Sequence, residues 1–479
     1  MREGMEQIEE QAFLENAPSF YKKIDSEKDE KQKELLELTV KICEAVKEAG
    51  GKALIVGGYA RDEVLQKLGY EVKSKDIDIE VHGLEPMVLN SILSDFGNPE
   101  TVGGSFSVIK LKGLDISVPI ENSHTLDFKE AARRRDFTIN AMGLDPLTGE
   151  ITDEFGGIND LKNKTLRMVD SETFKQDPLR VLRAAQFAGR FGFSIDKETA
   201  EFCKTLDLKN LSSERLGEEW AKLLLKSPKP SIGLEAAKEL GVLKKLHPEL
   251  DNLSGVEQDP GWHPEGDVWE HTKLAADAAA KIISEKKING ETALVIMLAT
   301  LCHDLGKPAT TQISPDGRIK AHGHSEAGIT PAKNFLKSIN NANFGNGTAD
   351  KVLALVKEHM FPHQNKEATD AAVRRLANRL HPASIQDLAI VSEADRRGTG
   401  RSENNFPEID FLVKKAEELK IEKEKPQPIL LGRHLLELGL APGRKIGKIL
   451  KEIYELQLDG KIKTLEEAKK KAAEFAAGL

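Results

Sequence analysis

Two aspartates, Asp76 and Asp78, stand two apart in the run Asp76-Ile-Asp-Ile-Glu-Val81. Its period-two alternation predicts a strand, on which both carboxylates point to one face. Carboxylates that close repel each other unless a cation sits between them. The pair therefore suits one or two Mg²⁺ ions, which take oxygen ligands and bridge substrate phosphates. Alone, such a pair also fits a solvated strand face, but its context argues for chemistry. Gly57-Gly58 ends the preceding apolar run, where bare backbone N–H groups can approach a phosphate. Arg61 and Asp62 then open a helix whose N-terminal dipole favours an anion. Asp115, on a later strand, could add a third carboxylate, and an acid satisfied at a strand edge fits as well. Arg133, Arg134 and Arg135 need an acidic or phosphate partner, or water. Asp136, Phe137, Ile139 and Asn140 follow at once, which points to a packed site.

A second chemistry-bearing block lies further on. Eight of the twelve histidines fall between His263 and His381. His303-Asp304 closes a long apolar helix, Ala293 to Cys302, and leads into Leu-Gly-Lys-Pro.

The elements that must carry these groups change along the chain. With 479 residues, about three domains are expected at roughly 100–200 residues each. Residues 1–50 hold thirteen acids against eight bases, and Leu35, Leu38, Ile42 and Val46 predict one helical face. Ala53–Val56 reads as a buried strand, and Phe106–Leu111 with Leu114–Val118 as a hairpin. After Asp177-Pro178 the pattern is helical, with Asp177 as a cap and Pro178 in the first turn. Cys43, Cys203 and Cys302 are too scattered for a disulfide framework or a CxxC metal site. No apolar run reaches the ~18 residues of a membrane span, and no secretory signal is seen, so a cytoplasmic protein without a membrane partner is expected.

Four motifs occur in order: Gly57-Gly-Tyr-Ala-Arg61-Asp62, Asp76-Ile-Asp78, Arg134-Arg-Asp-Phe-Thr-Ile-Asn140 and Asp177-Pro-Leu-Arg180-Val-Leu-Arg183. The series resembles the class II tRNA nucleotidyltransferase and bacterial poly(A) polymerase family, within the polymerase-β-like nucleotidyltransferases. The resemblance implies an α+β fold: a small head with a mixed sheet, an all-α neck, an HD helical domain and C-terminal helices. The expected boundaries are 1–50 (acidic helical segment), 51–165 (head), 166–258 (neck), 259–400 (HD) and 401–479 (C-terminal helices).

It also implies that Asp76 and Asp78 hold two Mg²⁺ ions, with Asp115 beside them. Gly57, Gly58, Arg61, Arg135, Asp136, Asn140 and Arg183 fall in the nucleotide-binding motifs. Asp177 and Arg180 match the family's base-reading pair. A carboxylate accepts from an exocyclic amine and a guanidinium donates to a ring nitrogen, a pair of edges that cytosine and adenine share. Gln176 stands where Glu is usual, which removes a charge beside that pair. Val118–Ser123 lacks an arginine common in relatives.

The histidine block resembles an HD-type phosphohydrolase domain. There His271, His303, Asp304 and Asp395 match the metal ligands, and His324 and His359 could hold a second ion. Imidazole and carboxylate donors suit Mn²⁺, Fe²⁺, Ni²⁺ or Mg²⁺. The substrate would be a phosphate ester such as a terminal 2′,3′-cyclic phosphate or a 2′-phosphate.

The function expected is template-independent addition of CMP, CMP and AMP to tRNA 3′ ends from CTP and ATP. Poly(A) synthesis, CC-only or A-only addition keeps the chemistry but changes the product. A metal phosphohydrolase with an RNA-binding head is a rival of another class, and an inactive RNA-binding protein is the third.

Overall fold

A computed structural model describes residues 20–72, 76–102, 108–119, 128–340, 344–345, 347–401 and 405–478. Residues 1–19 of the acidic segment, Phe106 and Ser107 of the expected hairpin and Ile120–Ser123 lie outside the described residues. The described chain falls into two units. One is drawn from residues up to 184 and from 191–207, the other from 185–190 and from residue 208 onward.

The first unit is built on a seven-stranded mixed sheet. Its strands are β1 (Lys52–Val56), β2 (Ile77–His82), β3 (Glu100–Val102), β4 (Val108–Leu111), β5 (Leu114–Ser117), β6 (Met142–Leu144) and β7 (Ile151–Asp153). They lie in the order β3-β4-β5-β2-β1-β6-β7. Only β2 and β5 pair in parallel; the other neighbours are antiparallel. β1 is apolar because four of its five residues are buried. β2 alternates, burying Ile77, Ile79 and Val81 while its acids share the other face.

Helix α1 (Glu30–Glu48) is capped by Asp29, whose carboxylate accepts the N–H groups of Lys31 and Gln32. Its buried stripe runs through Leu36, Val40, Ile42, Cys43 and Val46, so the expected Ile42 and Val46 are buried. The expected face is thus rotated by one position at its start, leaving Leu35 and Leu38 half-buried. Helix α2 (Gly58–Lys67) follows β1 without a spacer, because Gly57 turns the chain with φ +68°.

Helix α3 (Arg180–Phe191) contributes residues to both units. It starts two residues later than Pro178 suggested. Arg180 N–H donates to Asp177 O, and Val181 N–H to Pro178 O, so the entry is a tight turn of i→i−3 bonds. The Asp177 carboxylate accepts from Leu179 N–H at 3.3 Å inside that turn.

The second unit is helical. Helix α4 (Ser213–Lys226) is capped by Ser212 and α5 (Val268–Glu285) by Asp267. Helix α6 (Gly290–Cys302) is buried on every side from Ala293 onward. It is surrounded by α5, α7 (Thr348–Glu358) and α8 (Ile385–Gly398). Two glycines set close approaches. A Cβ on Gly398 would lie 2.8–2.9 Å from the backbone and Cβ of Ala275, so α8 meets α5 there without a side chain between them. A Cβ on Gly306 would lie 2.0 Å from His324 O, so two histidine-bearing segments touch backbone to backbone. The last helices, α9 (Arg444–Leu458) and α10 (Leu465–Gly478), close their own apolar cluster around Leu435, Ile449, Ile453 and Ala472. No helix among the described residues is long and apolar enough to cross a membrane.

Candidate active sites

The sheet of the first unit gathers the acidic motif. Asp78 lies opposite Val56, the residue before Gly57, and opposite Asp115 across the parallel pair. Asp76 sits exposed just before β2. Burial pushes the Asp78 carboxyl up, as do Asp115 and Asp76, against the pull of Arg135. Lys110 is 3.5 Å from Asp115. The three aspartates share a face and repel, but they do not form a set of donors already within 4.8 Å of one another. Such a crowd of like charge fits a cation, which would draw the three together.

Arg135 reaches the same place from another segment. Its Nη1 is 3.1 Å from where a Gly57 Cβ would be, and the Asp78 carboxylate is 3.8 Å from that point. Glycine at 57 therefore leaves the space in which a guanidinium and a carboxylate meet. Arg135 Nη2 donates to Glu80 at 3.0 Å, and His82 Nε2 is 3.1 Å from the same carboxylate. Glu80 and His82 continue the face of Asp76 and Asp78. The D-I-D-I-E-V-H alternation carried that signal past the second aspartate, and sequence reasoning stopped short of it.

Arg61 lies beside the same turn, its Nη2 3.6 Å from where a Gly58 Cβ would be. It is buried, donating to Asp62 and, at 2.8 Å, to Asn140. Asn140 donates to Asp136 at 2.9 Å, and Arg183 grips the other Asp136 oxygen at 2.8 Å. Burial opposes the Asp136 charge, but Arg183, Asn140 and the Phe137 N–H hold its carboxyl below the usual range. This chain of bonds ties α2, the arginine run and α3 into one buried network. Arg180 donates to the carbonyls of Thr173 and Arg134, which fixes the guanidinium near Asp177. Gln176 is exposed in the preceding turn.

The second unit converges its histidines. Nε2 of His271 is 3.2 Å from Nε2 of His303, and Nε2 of His324 is 3.1 Å from Nε2 of His359. Asp395 approaches the first pair at 3.0 Å, and Asp304 lies 3.1 Å from His303 and 3.5 Å from His324. His271–His303–Asp395 and Asp304–His324–His359 are two donor sets, each within 4.8 Å.

Their tautomers follow from the outer bonds. Nδ1 of His303, His324 and His359 faces the carbonyls of Thr300, Ala321 and Val356 at 2.6–2.7 Å. Nδ1 of His271 faces Glu265 at 2.7 Å. Carbonyls and carboxylates only accept, so each Nδ1 carries hydrogen, and in the neutral imidazole Nε2 keeps a lone pair for a ligand. Two lone pairs 3.1–3.2 Å apart repel unless a cation stands between them. The donors thus fit a divalent ion at each pair.

Burial disfavours charge on His271, yet bonds to Asp395 and Glu265 raise it to about 9, so a metal at this pair would displace the Nε2 proton. Burial and the neighbouring His303 and His324 push His359 down to about 3. Burial also opposes the Asp304 and Asp395 charges, but His303 with Lys307, and His271 with His303, hold them well below the usual carboxylate range. Glu265 went unnoticed in the sequence; its spacing before His271 carried no recognisable pattern.

Comparison with known proteins extends this description. The Poly A polymerase head domain model matches residues 114–167, the probable RNA and SrmB-binding site of polymerase A 192–253, and the HD domain 268–399. The multifunctional CCA protein of Pasteurella multocida (strain Pm70) is 36% identical over 303 residues, covering 60% of this chain and 69% of the relative. That of Xylella fastidiosa (strain M23) is 32% identical over 388 residues, 76% of this chain and 88% of the relative. Among solved structures, the Bacillus stearothermophilus CCA-adding enzyme in complex with CTP aligns with TM-score 0.61 at 22% identity, over 92% of this chain and 98% of that one. The Thermotoga maritima CCA-adding enzyme complexed with tRNA aligns with TM-score 0.58 at 20% identity, over 95% and 98%. These two share the fold of this chain.

Proposed function

The chain belongs to the multifunctional CCA proteins, within the tRNA nucleotidyltransferase and poly(A) polymerase family, and from that membership we infer that it builds or repairs the CCA end of tRNA. Its partners are the tRNA 3′ end, CTP and ATP. The 3′-hydroxyl oxygen attacks the α-phosphorus of the nucleotide, the bond to pyrophosphate breaks, and the hydroxyl proton is lost. Asp76 and Asp78, with Asp115, would hold Mg²⁺, which when bound supplies positive charge against the triphosphate. Arg135 beside Gly57 and Gly58 binds the nucleotide phosphates. Asp177 and Arg180 read the base edge. Arg61, Asp136, Asn140 and Arg183 hold those groups in place.

We assign the sheet-bearing head to 51–165, the base-selecting neck to 166–258, the HD domain to 259–400, and helices with a possible RNA contact to 401–479, after the acidic segment 1–50. The protein would act in the cytoplasm, where tRNA is processed.

The observation that carries this reading is the register that sets Asp78 against both the Gly57 turn and Asp115. Replacing Asp76 and Asp78 together by alanine tests it. Nucleotide addition should fall by roughly 10³-fold or more, since each metal contributes several kcal/mol. Undiminished addition would contradict the assignment.

A second reading applies to the other unit and is supported by the facing imidazole pairs. The His271, His303, Asp304, Asp395, His324 and His359 cluster would hold divalent ions and hydrolyse a phosphate ester. Asp76→Ala/Asp78→Ala should leave that hydrolysis intact.

A further inference from the structure

The histidine cluster opens into a cavity of about 860 Å³, whose wall includes Asp304, His324, His359 and Asp395. That volume suits a nucleoside phosphate. Arg318, Lys320, Lys366 and Arg396 offer cations to a phosphate on the same wall, beside the acids Glu257, Asp259 and Glu408, while Lys307 pairs with Asp304 at 2.7 Å. One further wall residue has no role in the hydrolysis described above. Trp262 is 63% exposed, whereas Trp220 and Trp269 are 0% and 1% exposed. The indole is presented, not loosely hung. Trp262 N–H donates to Asp259 O at 2.9 Å, closing a tight turn. The Arg401 guanidinium lies over the ring, 5.4 Å from its centroid, and donates to the Gly261 carbonyl.

An aromatic plane backed by a cation, in a cavity that also holds lysines and metal donors, matches what a nucleobase and its phosphate need together. We propose that Trp262, backed by Arg401, stacks on the base of a nucleoside phosphate whose phosphate faces the His–Asp cluster. The proposal makes Trp262 the specificity-determining residue of the HD cavity, and it rests on reading that cluster as a metal phosphohydrolase. A phosphate ester without a base would reach the same cluster but gain nothing from Trp262.

Tryptophan fluorescence of the full chain with Mn²⁺ tests this, because the other two indoles are buried. Titration with 2′-AMP should quench emission saturably, and glycerol 2-phosphate should not. Trp262→Phe should lose the quench but bind 2′-AMP nearly as well by equilibrium dialysis. Trp262→Ala should weaken 2′-AMP binding roughly 5- to 150-fold, one base–aromatic stack, leave glycerol 2-phosphate binding unchanged, and retain nucleotide addition to tRNA. Unaltered 2′-AMP affinity in Trp262→Ala, or an equal loss for both phosphates, would overturn the proposal. A Trp262-dependent quench in a protein that hydrolyses neither compound would support the stacking platform and contradict the phosphohydrolase reading instead.

Discussion

Asp136 and Glu265 show how a single carboxylate can hold the other side chains of a site in place. Asp136 is buried, and Arg183 supplies its charge partner. Arg183→Ala would leave that charge with the Asn140 amide, a backbone N–H and the more distant Arg180. A loss of about 1–3 kcal/mol is expected, since Arg183 itself is partly exposed, and thermal denaturation would read it; Arg183→Lys should recover part. Glu265 accepts the Nδ1 hydrogen of His271, which turns Nε2 toward His303 and Asp395. Glu265→Gln keeps an acceptor but removes the charge, so divalent-metal affinity by calorimetric titration should fall about 10- to 100-fold. Unchanged affinity would mean that Glu265 is only packing. Both roles were hidden in the sequence for a physical reason. A ligand pair such as Asp76 and Asp78 shows as spacing on one strand, whereas Asp136 and Glu265 act through partners 47 and 6 residues away on other segments.

Elements place these groups through close approaches and caps. α5 carries His271 and α8 carries Asp395, and Gly398 lets them meet at Ala275. Gly398→Val should force the helices apart, costing about 1–3 kcal/mol by overpacking. It should also weaken metal binding without touching a ligand. His247 is a second elementary device. It accepts from Trp220 Nε1 at 3.0 Å and contacts Ser338 at 3.2 Å, and burial lowers it to about 3. Between that value and the ordinary ~6.5 the unfolded chain binds a proton that the folded chain does not. Its contribution is therefore complete above pH ~6.5 and is lost as pH falls, by up to about 1.4 kcal/mol per unit. His247→Gln should flatten the fall in melting temperature between pH 6.5 and 4.5. The β1 strand, the Asp76–Val81 alternation and the apolar helix before His303 were all legible as sequence periodicity. The second half of the α1 stripe, Ile42 and Val46, was legible too, but its first turns and the start of α3 were not, because tertiary contacts chose Leu36 and Val40 there and an i→i−3 turn displaced the start of α3.

For the whole molecule, the net charge of −9 conceals its distribution. Residues 1–50 hold −5 of it, while Lys162–Arg190 carries seven bases against three acids. An RNA partner would meet local basic surface, so tRNA binding should be modest and weaken steeply between 50 and 200 mM salt, as ~0.7–0.9 counterions are released per phosphate contact. Salt-independent binding would contradict that account. The central claim is the product, and one assay reaches it. A tRNA ending at the position before CCA is incubated with Mg²⁺ and labelled CTP, ATP, or both. The account predicts two added residues with CTP alone, three ending in A with both nucleotides, and no fourth. Long tails from ATP alone, or no extension with any nucleotide, would contradict it.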